Sequence, residues 1–174
     1  MEKKSTIILK ITYFNQIRSL FGSLFLFVIL IAFIKALIEN TLSDKHYMAS
    51  ILAFLLCSNF LYLALPTLFL HINYLKRNRN EEYEIGDNMI IRRKNGIETY
   101  YSCEDISDIH LYQVDSMRIM RLPPWSDYHF VKILMKSGEV LYLTSLLYPS
   151  GLEEILDDYI RVSYLNETRW FPAT

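Results

Sequence analysis

Residues 81–102, EEYEIGDNMIIRRKNGIETYYS, decide the fold because they predict three consecutive antiparallel strands. Runs rich in β-branched and aromatic residues alternate here with turn residues, as in a β-meander. The predicted strands are Glu81 to Ile85, Met89 to Lys94 and Ile97 to Ser102. The second turn, Asn95-Gly96, is typical of a type I′ hairpin, because both residues tolerate the positive φ that this turn requires.

Downstream of this meander the β pattern continues and then gives way to a helix. Further strands are predicted at Ile106 to Val114, Tyr128 to Lys136 and Glu139 to Ser145. Alternation directs one set of side chains to the core. These are Ile109, Leu111, Phe130, Ile133 or Leu134, Leu141 and Leu143. Ser150 and Glu153 form a capping-box pattern, which predicts a C-terminal amphipathic helix at about 150–165.

Upstream of the meander the sequence contains two long apolar runs, Ser19 to Ile38 and Tyr47 to Tyr74. No charged residue falls between Tyr47 and Leu70, and such a length exceeds the ~20 residues that cross a bilayer. Two buried helices of a bundle are the alternative, but we expect a chain of this size to lack a core large enough for them. The runs therefore predict a transmembrane hairpin, with helices at about 19–38 and 48–74.

Positive charges on both flanks of this hairpin predict that both termini are cytoplasmic. The expected organisation is a strand-containing N-terminal segment (1–18), the hairpin (19–74) and a cytoplasmic β-rich domain (75–174). The strand-like stretch Thr6 to Thr12 is a candidate for the same sheet as the meander. The fold class is then an α+β membrane protein, in which a small antiparallel sheet or barrel follows the hairpin and a C-terminal helix caps it.

This layout resembles bacterial membrane proteins with a pleckstrin-homology-like cytoplasmic domain, the YcxB-like group in particular. Three stretches carry the resemblance: Tyr83 to Ile91, Tyr101 to Ile109, and Phe130 to Leu134 continuing through Leu141 to Thr144. The resemblance implies an N-terminal strand, a two-helix hairpin and a pleckstrin-homology-like domain at the bacterial inner membrane. It implies no particular activity.

No catalytic, cofactor-binding or metal-binding motif is present. His46, His71, His110 and His129 lack zinc-site spacing with either cysteine, and the glycines form no phosphate loop. Residues 75–174 contain 12 Lys and Arg against 16 Asp and Glu, so nucleic-acid binding is not expected. We therefore expect a protein that is not an enzyme and has no cofactor.

Three groups of residues are candidates for contacts. The basic residues after the second run are predicted to anchor it at the membrane surface: Lys76, Arg77 and Arg79. A partner-binding loop is predicted around Met117, Arg118, Met120, Arg121 and Trp125, with completion of the core as the alternative. Helix packing and self-association within the membrane are predicted for Ala49, Ala53, Cys57 and Asn59.

Two functions remain open at this point. The first is a membrane-anchored binding or scaffold module that presents its domain to a cytoplasmic protein or lipid partner. The second is a homo-oligomeric membrane effector, pore-forming or membrane-disrupting, of a bacterial antiphage or CRISPR-associated system. Polar residues of the second run, such as Ser58 and Asn59, form no continuous stripe, which favours the first function.

Overall fold

The structure is a computed structural model that describes residues 6–41, 47–86, 88–114, 125–149, 151–160, 162–169 and 171–174. Two long helices follow the first strand: α1 (Tyr13–Thr41) and α2 (Tyr47–Asn78). Eight strands are described: β1 (Ile7–Lys10), β2 (Glu81–Gly86), β3 (Met89–Lys94), β4 (Ile97–Ser102), β5 (Ile106–Gln113), β6 (Phe130–Met135), β7 (Val140–Thr144) and β8 (Leu165–Thr168). A short helix, α3 (Leu152–Ile155), continues into a π-helical turn, Leu156–Ile160.

The strands form two four-stranded sheets. Sheet A has the order β1-β2-β3-β4 and is antiparallel throughout. Sheet B has the order β7-β6-β5-β8, in which β8 pairs with β5 in parallel. The predicted N-terminal strand is confirmed, because Ile7 to Lys10 pair with Ile85 to Glu82. The two helices are therefore inserted between the two strands of one antiparallel pair.

A first hydrophobic core lies between the two sheets and α3. The side chains predicted to be buried by alternation contribute to it, including Ile109, Leu111, Leu141 and Leu143. Of the two alternatives on β6, Ile133 lies in this core, and Leu134 is half-buried on the other face. Phe130 is also buried, but on the outer face of sheet B, so its predicted place in the same face as Leu141 and Leu143 is wrong. For the other members of the set, strand alternation identified the inner faces of the sheets correctly.

A second hydrophobic core covers the outer face of sheet B. Leu70 and Tyr74 of α2 pack there against side chains that alternate with those of the first core, including Tyr112 and Phe130. Trp125, Tyr128 and Leu146 complete this second core. Sheet B is therefore covered on both faces, and the C-terminal half of α2 forms one of its covers.

The membrane prediction is wrong. Within the described part of the chain, no helix has both the length and the apolar character needed to cross a membrane. The two spans at 19–38 and 48–74, the α+β membrane fold class and the inner-membrane localisation with two cytoplasmic termini are all overturned by this finding. The physical reason is visible in the C-terminal half of α2, where Leu70 and Tyr74 pack on protein and Thr67 and His71 are buried.

The C-terminal region also differs from its prediction. The helix expected at about 150–165 ends by Ile160, and Ser150, the predicted cap, lies outside the described residues. The parallel strand β8 was not predicted. Its sequence, Leu165-Asn166-Glu167-Thr168, has one apolar residue and is largely exposed, so alternation gives no signal.

Candidate ligand-binding site

A cleft of about 1060 Å³ lies at the base of the two helices. Its walls come from the end of β1, the first turn of α1, the last turns of α2 and the β3–β4 turn. Ile11, Ile72 and Leu75 contribute apolar surface, and lysine, arginine and asparagine side chains contribute polar surface. A cleft of this size is comparable to the larger sites that hold small molecules in proteins.

Two tight turns shape one wall of this cleft. Asn80 has a φ of 58° and ends α2, so the chain enters β2 at the very next residue. Asn95 and Gly96 have φ values of 51° and 81°, which confirms the hairpin turn predicted from this dipeptide. The Asn80 side-chain amide donates to Asn95 Oδ1 at 3.4 Å and joins the two turns.

The opposite wall contains the beginning of α1. Thr12 caps this helix, because its Oγ1 accepts a hydrogen bond from the backbone N–H of Asn15 at 3.1 Å. The first turn of α1 has no acidic residue, so its positive dipole end is not neutralised within the turn. Thr12, Tyr13 and Gln16 of this turn all line the cleft.

Three cations that line the cleft, Lys10, Lys76 and Arg79, have no carboxylate partner among the described residues. A fourth cation, Arg93, also lines it but is bound on the outer face of sheet A. Its guanidinium donates to three glutamates: Glu82 at 3.3 Å, Glu84 at 2.7 Å and Glu98 at 2.8 Å. Glu82, which lies opposite Lys10 in the β1–β2 pair, also lines the cleft but is bound by Arg93. Among the described residues the cleft therefore keeps a surplus of positive charge.

Glu81 also lines the cleft, but its carboxylate is neutralised by cations that do not line it. Its side chain is only 3 % exposed and accepts hydrogen bonds from Arg92 at 2.6 Å and Lys94 at 2.8 Å. Tyr83 Oη donates to the same carboxylate at 2.8 Å, and Asn78 Nδ2 donates at 3.1 Å. Because two cations and two neutral donors already bind it, this carboxylate adds little negative charge to the cleft.

Asn78 links this carboxylate to the other sheet. Its side-chain amide also donates to the backbone carbonyl of Tyr142 at 2.7 Å, and its Oδ1 accepts from Thr144 Oγ1 at 2.8 Å. The last turn of α2 is thereby hydrogen-bonded to both sheets. We define Asn78, Glu81, Tyr83, Arg92 and Lys94 as the Glu81 cluster.

The Glu81 cluster makes the stability of the fold dependent on pH. Burial alone raises the pKa of the Glu81 carboxyl, but its four hydrogen-bond donors outweigh burial and lower the pKa from 4.5 to about 2. A depressed carboxyl pKa stabilises the folded chain above the unfolded pKa, and this contribution is lost as the pH falls from 4.5 to about 2. We expect the melting temperature, followed by circular dichroism, to fall over this interval more steeply than in Glu81→Gln. Parallel curves for the two proteins would assign the acid sensitivity to other groups.

The predicted basic group is divided between two sides of α2. Lys76 and Arg79 line the cleft, whereas Arg77 stacks on the ring of Tyr142 with its guanidinium carbon 3.6 Å from the centroid. Membrane anchoring by these residues is not supported, because the helix that they would anchor is not a span. Lys10 was not predicted to join them, because it lies on β1, 66 residues before Lys76.

The other predicted contact residues lie elsewhere. Met117, Arg118, Met120 and Arg121 fall outside the described residues. Trp125 is 2 % exposed and belongs to the second core, so its ring is not available on the surface. Ala49, Ala53 and Asn59 lie on α2, but the structure does not describe their side chains, and Cys57 is a half-buried free thiol.

The histidines of the described regions make protein contacts. His71 Nδ1 lies 3.1 Å from Tyr128 Oη in the second core, and burial lowers the pKa of His71. His110 lies between Glu167 Oε1 at 2.8 Å and Asp108 Oδ2 at 2.9 Å. No group of three or more His, Cys, Asp or Glu side chains suited to a metal ion occurs in the part of the chain that the structure describes.

Two four-stranded sheets with a core between them and a short C-terminal helix packed against them define a small β-domain. The chain belongs to the PH domain family, whose model matches residues 8–152. This match confirms the predicted pleckstrin-homology-like domain and indicates a binding or scaffold module. It includes α1 and α2 within the family region, but it does not show the narrower YcxB-like grouping. No curated protein matches the chain in sequence.

Proposed function

We propose that this protein is a non-enzymatic binding module that holds a phosphate-bearing ligand in the cleft at the base of its two helices. The observation that carries this proposal is the set of three cations, Lys10, Lys76 and Arg79, that face one cleft without carboxylate partners among the described residues. Clustered cations repel one another, and an anion between them relieves that repulsion.

The shape of the cleft supports a small organic phosphate over an isolated ion. An isolated inorganic anion would occupy a small part of about 1060 Å³ and would leave the apolar surface of Ile72 and Leu75 uncovered. Lysine binds phosphate as a point charge, and arginine binds it through paired N–H groups. The uncompensated N-terminus of α1 adds partial positive charge at the same wall.

Titration calorimetry of the full chain tests this proposal. Inorganic pyrophosphate serves as the minimal probe, inositol hexakisphosphate as a larger free phosphate, and a water-soluble short-chain phosphoinositide as the lipid-derived source. We expect saturable binding of at least one of them that weakens as salt is added, because the contacts are between exposed charges. Sulfate at matched ionic strength controls for nonspecific screening.

Removing single cations should weaken this binding. Lys10→Ala, Lys76→Ala and Arg79→Ala are each expected to raise the dissociation constant about tenfold or more, since a hydrogen bond to a charged group contributes about 1.5–3 kcal/mol. Lys132→Ala is the matched control, because it removes one lysine from β6, away from the cleft. An equal loss in Lys132→Ala, or no binding of any probe, contradicts the proposal.

A further inference from the structure

The outward face of α1 is a continuous apolar stripe. Six large residues lie along it, each between 52 % and 72 % exposed: Phe14, Ile17, Phe21, Leu24, Val28 and Ile31. Phe25, Phe27 and Ile29 are also 49–59 % exposed, so apolar exposure extends beyond these six positions. On the opposite side of the helix Leu30 is buried and Ser19 is half-buried, so this side faces the rest of the chain.

The spacing within this stripe is that of a helix-packing seam. The intervals between successive members are three, four, three, four and three residues, which is the a/d pattern of a heptad repeat. Side chains at these positions insert between those of a facing helix when a second helix lies alongside. The six positions are therefore compatible with a second helix that packs along this stripe.

The second helix presents a related surface. Phe54, Leu61 and Leu68 recur at seven-residue intervals on α2 and are 46–72 % exposed. Leu65 lies beside this row and is 58 % exposed. Both helices thus have apolar rows that the described part of the chain does not cover.

We propose that a second copy of this chain covers these rows, and that α1 and α2 of two protomers form a four-helix bundle around a two-fold axis. Because a whole aromatic or large aliphatic side chain exposes roughly 150–200 Å², the stripe of α1 alone presents on the order of 600 Å². A stable interface of standard size buries about 800 Å² per partner, which the α1 stripe and the α2 rows together supply.

The apolar surface is compatible with itself, and this favours another copy of the chain as the partner that covers it. A two-fold interface brings the same surface of each protomer together, so it requires a surface that is compatible with itself. No charged residue occurs from Ser19 to Ile34, and therefore two such surfaces meet without like-charge repulsion. Antiparallel neighbours joined by a short connection, as α1 and α2 are, are also the usual unit of a four-helix bundle.

Sedimentation velocity of the full chain in detergent-free buffer tests the proposal. We expect a species of twice the 20.6 kDa chain mass, and a double substitution in the stripe, Phe21→Glu with Val28→Glu, to restore the single-chain mass. In a dimer of this variant four new glutamates would meet at the interface. We expect the dissociation constant of the dimer to rise by about a hundredfold or more, because like-charge contacts cost several kcal/mol. Thr99→Glu with Ser107→Glu adds the same charge at exposed positions of the β-domain and should leave the dimer intact.

A cross-linking variant keeps the proposal testable even if the double substitution does not fold. Val28→Cys in a Cys57→Ser background should form an intermolecular disulfide on mild oxidation, whereas Thr99→Cys in the same background should not. A single-chain mass for the native protein overturns the proposal. So does an open-ended series of oligomers, or a monomer that instead floats with phosphatidylcholine vesicles.

Discussion

Replacing Glu81 with alanine is expected to lower the free energy of unfolding by about 3–5 kcal/mol, the usual cost of removing one partner from a buried ion pair. Arg92 would then lose its contact at 2.6 Å and Lys94 its contact at 2.8 Å. Arg92, which is only 19 % exposed, would keep just its longer contact at 3.2 Å to the 44 % exposed Glu139, so its charge would be poorly compensated. Urea denaturation followed by circular dichroism measures the effect.

Glu154→Ala is the matched control, because it removes an exposed glutamate from α3. Its effect should stay within about 0.5 kcal/mol, as for most surface substitutions. A loss of less than about 1 kcal/mol in Glu81→Ala would mean that the Glu81 cluster contributes no more than an exposed ion pair. The loss in free energy of unfolding for Glu81→Gln should lie between those of Glu81→Ala and Glu154→Ala. The glutamine loses the charge, but its side-chain oxygen can still accept hydrogen bonds from Tyr83 and Asn78.

The meander was predictable residue by residue because its signals are local. The predicted strands at Met89 to Lys94 and Ile97 to Ser102 have the observed bounds, and the Asn95-Gly96 turn between them has the expected positive φ values. Each of these features depends on neighbours only a few residues away. The stretch Thr6 to Thr12 was also predicted to be a candidate for the same sheet, and the structure confirms this through the pairing of β1 with β2.

The environment of the helices was not predictable in the same way. An apolar run indicates burial, but it does not distinguish lipid from the outer face of a sheet. Leu70 and Tyr74 pack on Phe130 and Tyr112, which lie 38 or more residues away in sequence. The polar residues His71 and Asn78 were the signal that protein surrounds this part of α2, because each has a hydrogen-bonding partner there.

The cleft was missed for a related reason. Its cations come from β1 and from the end of α2, and only the fold brings Lys10 beside Lys76 and Arg79. Sequence proximity instead grouped Arg77 with the last two, although its guanidinium faces Tyr142 on the other side of the helix. Net charge was equally uninformative, since an acidic domain can still have one cationic cleft when its glutamates pair elsewhere, as Glu84 and Glu98 do.

The insertion of α1 and α2 within a strand pair ties the candidate ligand site to the proposed interface between copies. Lys10 ends β1 and is separated from α1 by two residues, Lys76 lies in the last turn of α2, and Arg79 lies in the turn between α2 and β2. A change in the angle between the helices therefore moves the cleft cations relative to one another. Dimerisation through the outward rows would fix that angle and so preorganise the cleft for its ligand.

Replacing Tyr74 with alanine is expected to destabilise the fold by about 3–5 kcal/mol, the cost of deleting a large aromatic side chain from a packed core. Tyr74 is fully buried, its ring lies edge-on to Tyr128 at 5.4 Å and to Phe130 at 6.2 Å, and its hydroxyl donates to the carbonyl of Pro172 at 2.7 Å. One residue thus joins α2, sheet B and the C-terminal segment. Urea denaturation measures the loss, and Trp125 emission in a Trp170→Phe background reports on the same core, in which Trp125 is buried.

Two further variants separate the contributions of the ring and the hydroxyl. Tyr74→Phe keeps the ring and should cost about 1 kcal/mol, the net value of one hydrogen bond. Tyr100→Ala deletes a tyrosine that is 60 % exposed on β4 and should cost much less than Tyr74→Ala. In Tyr74→Ala we also expect a red shift of Trp125 emission, because water reaches the opened core. Unchanged stability together with unchanged emission would mean that α2 does not pack on the outer face of sheet B, and the apolar residues of its C-terminal half would then need another partner.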